Sequence, residues 1–255
     1  MKDKEIKKAV KERYSKIATK EESSCECSCC GGDSAGSVIQ QAKAAGYTKA
    51  ELGSIPEEAV FGLGCGNPTA LAEIEEGETV LDLGSGGRID VFLAAQKVGD
   101  SGKVIGVDMT PGMIERAVET AEKGSYTNVE FRLGEIEDLL VENDSVDVII
   151  SNCVINLTPN KAAAYSEVFR VLKPGGRILV SDLVTEGKIP EEIRKSFQAW
   201  SDCIAGAMEK QDYLDTIKNA GFREVEVVEE HFFTEPNMDE RLVTKIISVQ
   251  VKAVK

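Results

Sequence analysis

The chain has 255 residues, of which 42% are hydrophobic and 29% charged, so it can build a core and still present a soluble surface. Its formal net charge of −14 argues against a nucleic-acid partner, because such binding depends on clustered Lys and Arg. No apolar run approaches the roughly 18 residues of a membrane span, and MKDKEIKK lacks the apolar part of a secretory signal. We therefore expect a cytoplasmic monomer with no membrane or nucleic-acid partner.

Residues 1–75 are predicted to form an N-terminal part made of helices and a Cys-rich loop. Apolar side chains at helical spacing predict a helix over 2–19, whose basic residues are interpreted as a solvated face. The stretch EESSCECSCCGGDSAG at 21–36 has no periodicity and predicts a loop. Short helices are expected at 48–53 and 69–74, on either side of the glycine-rich turn FGLGCGNPT.

The pattern then changes to alternating strands and helices. The apolar runs that predict strands are 79–84, 103–108, 128–134, 145–152 and 177–184. The predicted helices are 90–98, 111–123 and 160–172, followed by two more near 190–205 and 210–220. Two final alternating runs, 222–230 and 244–254, are expected to pair antiparallel. This order predicts an α/β fold with a Rossmann-like, doubly wound and mostly parallel sheet, divided into a core at 76–187 and a C-terminal part at 188–255.

Ligands of such sheets bind beyond the carboxyl ends of the strands, so residues at those ends are candidates for a site. In VLDLGSGG, Gly84 and Gly86 lack a Cβ and let the backbone approach a ligand closely. Asp108 ends the next strand, where an acid can accept hydrogen bonds from ribose hydroxyls. The strand-end residues that we expect around one crevice are Gly84, Asp108, Glu135 and Cys153.

The motifs LDLGSG, VIGVDMT, GEIEDL, SVDVIISN and LKPGG together resemble those of class I S-adenosylmethionine-dependent methyltransferases, over roughly residues 76–184. The third glycine of a dinucleotide turn would fall on Ile89, which disfavours a nicotinamide cofactor. The resemblance implies S-adenosylmethionine as the cofactor, with Asp108 on the ribose and Met109 beside the adenine. The cofactor contacts that it implies are Asp82, Gly84, Ser85, Gly86, Asp108, Met109, Gly134, Glu135, Ile136 and Asn152. The family's third turn glycine is replaced by Arg88, a departure that bears on donor affinity.

Three isolated cysteines, Cys65, Cys153 and Cys203, lie far apart in the sequence. Each alone is equally well explained by packing, because free Cys is among the most buried residue types. Thiolates select soft ions, so three of them beside a methyl donor would suit a thiophilic metalloid. The segments GCGNP, SNCVINL and DCIAGA resemble arsenite methyltransferases, in a short form without a C-terminal extension. This resemblance implies that the three cysteines bind As(III) as thiolates and are the catalytic residues, with Cys29 and Cys30 in thiol exchange.

The resemblance further implies arsenite or its thiol conjugates as substrate, methylarsenicals as detoxification products, and a reductant such as thioredoxin or a small thiol. No metal other than arsenic is expected, and His231, the single histidine, is interpreted as a structural or surface residue. Two alternatives stay open at this point. The chain could methylate a small organic acceptor, such as a quinone or lipid precursor, or it could bind thiophilic metals without catalysis. A zinc or Cu(I) site formed by the four cysteines of the loop segment at 25–30 is a further alternative.

Overall fold

The computed structural model describes residues 3–19, 34–61, 64–87, 89–201, 203–234 and 238–255. A seven-stranded sheet forms its centre, in the order β3-β2-β1-β4-β5-β7-β6. The strands are β1 (Thr79–Leu83), β2 (Lys103–Asp108), β3 (Val129–Leu133), β4 (Val146–Asn152), β5 (Leu172–Thr185), β6 (Arg223–Phe232) and β7 (Ile246–Val254). The first five are parallel, and β7 is antiparallel to both β5 and β6. The predicted fold class and the antiparallel C-terminal pair are confirmed.

Ten helices lie around this sheet in the described part of the chain. They are α1 (Asp3–Thr19), α2 (Ser34–Ala44), α3 (Lys49–Ser54), α4 (Pro68–Leu71), α5 (Ile89–Val98), α6 (Pro111–Lys123), α7 (Lys161–Val171), α8 (Glu191–Arg194), α9 (Phe197–Ser201) and α10 (Lys210–Asn219). None of the described helices is long and apolar enough to cross a membrane. The division of the chain into parts at residues 75 and 187 stays a prediction.

The helices differ from the sequence prediction in three places. Helix α2 was not predicted, and it begins inside the stretch at 21–36 that was expected to be a loop. Helix α4 ends at Leu71, before Glu73, which adopts a φ of 50° that a right-handed helix cannot contain. The single helix expected near 190–205 is instead the pair α8 and α9, and Cys203, with a φ of 63°, lies in the turn that follows.

Both faces of the central strands are buried, which explains their nearly continuous apolar sequences. On one face, Leu81 and Ile149 belong to an apolar cluster with Tyr165 of α7. On the other face, Val80 belongs to a cluster with Val91 of α5. The packing fixes the strand ends relative to one another, so the loops that follow β1, β2, β3 and β4 meet at one edge of the sheet.

A third apolar cluster, which we call the cysteine cluster, lies at that edge. It contains Ile6 and Val10 of α1, Leu183 of β5, and the three cysteines that the sequence singled out, Cys65, Cys153 and Cys203. Helix α1 therefore packs over the carboxyl end of the sheet, and segments that are distant in the sequence meet there.

Gly206 is needed where the segment after α9 crosses the turn at Ile155–Leu157. A Cβ at this position would lie 1.9 Å from the Asn156 carbonyl oxygen and 2.9 Å from the Trp200 ring. We expect Gly206→Ala to lower the free energy of unfolding by about 1–3 kcal/mol, because the backbone has to move to relieve the overlap. Urea denaturation measures this change.

The matched control is Gly53→Ala in α3, where no atom lies within 4 Å of the added Cβ. Alanine favours a helix by up to about 1 kcal/mol over glycine, so this variant is expected to be neutral or slightly more stable. Equal stability of the two variants would contradict the close approach at Gly206.

Candidate active site

A cavity opens at the carboxyl ends of β1, β2, β3 and β4, where the sequence predicted a crevice. It is lined by all but one of the residues predicted to contact the cofactor, namely Asp82, Gly84, Gly86, Asp108, Met109, Gly134, Glu135, Ile136 and Asn152. The exception is Ser85, whose side chain is buried and packs against Gly106 of β2. Only the backbone of Ser85 is therefore left to face a ligand. Arg88, Cys29 and Cys30 lie outside the described residues.

The glycine turn after β1 is shaped by contacts that leave no room for side chains. Gly84 has a φ of 70°, and a Cβ there would lie 2.2 Å from Val154. A Cβ on Gly86 would lie 2.7 Å from the Asp108 carboxylate, which accepts a hydrogen bond from the Gly86 amide at 2.9 Å. The Thr110 amide donates to the other oxygen of Asp108 at 2.8 Å. These two amides fix the Asp108 carboxylate at the cavity wall.

Three buried carboxyl groups give the cavity its electrostatic character. Burial raises the pKa of Asp82 well above its usual value, and the charges of Asp90 and Asp108 raise it further. Burial also raises the pKa of Asp108, and it raises that of Asp90 to about 6 against hydrogen bonds from Tyr47 and Asn152 that lower it. A cationic ligand would stabilise the ionised form of all three groups.

The amide of Asn152 connects this cavity to the loop that carries Cys65. Its oxygen accepts from the Cys65 amide at 2.9 Å, and its nitrogen donates to the Gly66 carbonyl at 2.6 Å. The nitrogen also donates to the Tyr47 hydroxyl at 3.1 Å, and that hydroxyl donates to Asp90 at 2.9 Å. Sequence reasoning included Asn152 but missed Tyr47 and Asp90. An acid within the otherwise apolar run IDVFLAA was a signal for Asp90, whereas Tyr47 had none.

The structure brings the three predicted cysteines together beside the cavity. Cys65 and Cys153 form a disulfide with a Cα–Cα distance of 6.0 Å, and Cys153 lines the cavity. The Cys203 thiol is buried outside the disulfide and donates to the Cys153 carbonyl oxygen at 2.9 Å. Sequence reasoning expected three reduced thiols and did not foresee the disulfide. In this state, no described group of three His, Cys, Asp or Glu side chains is placed to hold a metal ion.

Helix α1 closes the cavity on the adenine side predicted from the sequence. Lys7 forms ion pairs with Glu135 at 2.6 Å and Glu137 at 2.8 Å, while Val10 and Tyr14 line the cavity. The basic residues of this helix were interpreted as a solvated face, so the role of Lys7 was not foreseen. The apolar spacing of α1 indicates a helix packed on one face, but it does not identify the surface that the helix packs against.

The fold and the cavity define a class I methyltransferase domain. A family profile described as a methyltransferase domain matches residues 74–221. An arsenite methyltransferase from Halobacterium salinarum is 40% identical over 98% of this chain, and the human arsenite methyltransferase is 37% identical over 71%. The crystal structure of an arsenic(III) S-adenosylmethionine methyltransferase from Chlamydomonas reinhardtii has a TM-score of 0.68 and 31% identity, covering 89% of this chain and 75% of that one.

The chain belongs to the arsenite methyltransferase family of S-adenosylmethionine-dependent methyltransferases. It spans 66% of the length of the Halobacterium relative and 50% of that of the human relative. The cavity suits the donor of this family, because the backbone of the glycine turn lines it and its carboxyl groups face a ligand that carries positive charge. Asp108 and Asp82 both line the cavity next to the glycine turn, and the assignment of Asp108 to the ribose hydroxyls stays a prediction.

The Asp108 assignment can be tested by removing its carboxylate. Hydrogen bonds to a charged group contribute about 1.5–3 kcal/mol, so we expect Asp108→Ala to weaken donor binding by at least roughly tenfold. Isothermal titration with S-adenosylhomocysteine measures the dissociation constant. Asp215→Ala, at a half-exposed position on α10, is the control and is expected to bind as the parent does. An unchanged constant in Asp108→Ala would mean that the ribose lies elsewhere.

A pH dependence follows from the raised pKa of Asp90, which is about 6 in the folded protein. Because Asp90 holds its proton more tightly in the folded protein, it contributes stability at pH values below its unfolded pKa, which is near 4. This contribution is lost as the pH rises through about 6. The cationic donor favours the ionised carboxylate and offsets that loss. We therefore expect S-adenosylmethionine affinity to increase between about pH 5 and 7.

S-adenosylhomocysteine lacks the sulfonium charge and is the matched control ligand. Its affinity is expected to change less over the same pH range, and the Asp90→Asn variant is expected to flatten the profile of S-adenosylmethionine. Parallel pH profiles for the two ligands would contradict an electrostatic role for the cavity carboxyl groups.

Proposed function

We propose that the protein transfers a methyl group from S-adenosylmethionine to trivalent arsenic bound by Cys65, Cys153 and Cys203, giving methylarsenicals. The observation that carries this proposal is the meeting of the three cysteines in one apolar cluster, with Cys153 also on the wall of the donor cavity. An arsenite-methylating role in detoxification agrees with the family to which the chain belongs.

When bound, S-adenosylmethionine supplies a methyl group on a positively charged sulfur. Gly84 and Gly86 give it backbone access, and Asp108 holds the ribose end through a carboxylate that two backbone amides already orient. Asp82 and Asp90 contribute negative charge to the same cavity. Catalysis by these groups is mainly positioning, because they hold the donor and the thiol-bearing turn at Cys153 in a fixed relation.

Arsenite suits the cysteines because trivalent arsenic prefers soft thiolate ligands. Three As–O bonds are replaced by three As–S bonds, and each thiol proton leaves with a hydroxide as water. The bound arsenic keeps a lone pair that can attack a methyl group, so no general base is required at the attacking atom. This chemistry agrees with a chain whose single histidine, His231, is exposed on the edge strand β6.

The disulfide between Cys65 and Cys153 implies a reduction step before arsenite binds. Two electrons and two protons from a thiol reductant convert the S–S bond to two thiols, and the reductant becomes a disulfide. We propose thioredoxin or a low-molecular-weight thiol for this step. Helix α1 and the cysteine cluster surround the reduced site with apolar side chains, which limits water at the reacting sulfur atoms.

A turnover assay tests the proposal. Reduced protein is incubated with arsenite, S-adenosylmethionine and a thiol reductant, and methylated arsenic is separated by chromatography and detected as the element. Product formation is the expected result. Donor binding without product would overturn the proposed substrate and favour an organic acceptor or a metal-binding role.

The cysteine assignment predicts a separation between turnover and donor binding. We expect Cys153→Ser and Cys203→Ser each to abolish methylation of arsenite, because an alcohol is a poor ligand for arsenic, and to leave the dissociation constant for S-adenosylhomocysteine unchanged. Cys29→Ser with Cys30→Ser is the comparison variant for the proposed thiol exchange. It is expected to slow turnover at limiting arsenite without abolishing it. Full activity of Cys153→Ser or Cys203→Ser would remove that residue from the mechanism.

A further inference from the structure

Lys161 is a buried lysine next to the cysteine cluster that the proposed chemistry does not use. It lies at the start of α7 and is only 7% exposed. Its ammonium group donates to the Thr158 carbonyl oxygen at 3.1 Å and lies 5.6 Å from the centroid of the Trp200 ring. A buried ammonium group is costly unless other groups compensate it, so its surroundings require an explanation.

The compensating charge comes mainly from Asp182 of β5, which is fully buried. Burial lowers the pKa of Lys161 and raises that of Asp182, and the attraction between the two charges opposes both shifts. Cys203 and Glu137 add weaker attraction to Lys161. The Asp182 carboxylate also accepts from the Tyr213 hydroxyl at 3.2 Å and from the backbone amide of Asn156.

These contacts involve two segments that carry a cysteine, the turn after Cys153 and the segment before Cys203. Asn156 and Thr158 belong to the turn that follows Cys153. Trp200 is on the other segment, and its carbonyl oxygen accepts from the Cys203 amide at 3.0 Å. Lys161 therefore contacts the Cys153 turn through Thr158 and the Cys203 segment through Trp200, while Asp182 contacts the Cys153 turn through Asn156.

Stability does not account for this arrangement, because buried charges of opposite sign are often replaced by apolar residues at no loss of stability. Both cysteines are held in left-handed backbone conformations, with φ values of 59° and 63°, so their turns need support from neighbouring groups. We infer that Lys161 and Asp182 are positioning residues that set the spacing of Cys153 and Cys203. The purpose of this spacing rests on the proposed function, but its measurement does not require arsenite.

The spacing can be measured without arsenite by chemical cross-linking. In a full-length parent with Cys25, Cys27, Cys29, Cys30 and Cys65 replaced by serine, Cys153 and Cys203 are the only thiols. Dibromobimane becomes fluorescent after both of its bromides are displaced by thiols, so its rate reports how often the two sulfur atoms are within reach. We expect Lys161→Met combined with Asp182→Asn to slow cross-linking several-fold, while alkylation of Cys153 by monobromobimane keeps its rate.

Three further variants complete the test. Lys161→Arg keeps the charge and is expected to restore cross-linking. Lys161→Gln removes the charge but keeps a donor for Thr158, and it tests the positioning role if the double variant does not fold. Lys173→Met with Asp147→Asn removes an ion pair at the opposite end of the sheet and is expected to cross-link as the parent does. Cross-linking at the parental rate in Lys161→Gln or in the double variant would overturn the inference, as would a parent that does not cross-link.

A second readout connects the spacing to the proposed reaction. Displacement of reacting groups by about 1 Å can cost roughly 100-fold in rate. In the chain with all its natural cysteines, Lys161→Gln is therefore expected to lower kcat for arsenite methylation far more than it changes the donor dissociation constant. Trp200, the single tryptophan, provides a fluorescence signal for arsenite binding. If the parent cross-links but does not methylate arsenite, the proposed substrate fails while the positioning role stands.

Discussion

The side-chain amide of Asn152 is the interaction on which the candidate site depends most. Asn152 is the last residue of β4, so the central sheet fixes its position. Its side chain accepts from the Cys65 amide and donates to the Gly66 carbonyl. This contact joins a loop outside the sheet to the strand that delivers Cys153. Without it, the backbone groups at Cys65 and Gly66 would have to find other partners, and leaving a buried polar group unpaired costs about 1–3 kcal/mol. The Asn152 amide and the Cys65–Cys153 disulfide together hold the wall that the donor cavity and the cysteine cluster share.

Charge is distributed within the site in a way that separates its two halves. The donor cavity collects Asp82, Asp90 and Asp108, whose pKa values burial raises. The cysteine cluster is apolar, and Lys161, which is buried next to it, is attracted by the charge of Asp182 and more weakly by Cys203. A cationic donor and a soft substrate therefore meet surroundings of opposite character on either side of Cys153.

Helix α1 shows how a segment outside the sheet completes the site. Its apolar residues pack into the cysteine cluster, while Lys7 pairs with Glu135 and Glu137 of the loop after β3. These ion pairs are partly exposed, so each contributes little to stability, but they fix the orientation of the helix over the adenine side of the cavity.

Local sequence was sufficient for the sheet, the glycine turn and the acid at Asp108. Apolar runs of strand length and glycines at strand ends report on a residue's own neighbourhood, and the edge where parallel strands end is common to all such folds. Resemblance of the cysteine segments to a family supplied the metalloid hypothesis. The tertiary structure alone decided which groups support those residues: Tyr47 and Asp90 behind Asn152, Lys7 over the cavity, the Cys65–Cys153 bond, and Lys161 with Asp182. Each of these contacts joins residues far apart in sequence, so it depends on how helices pack on the sheet and leaves no periodic signal in the chain.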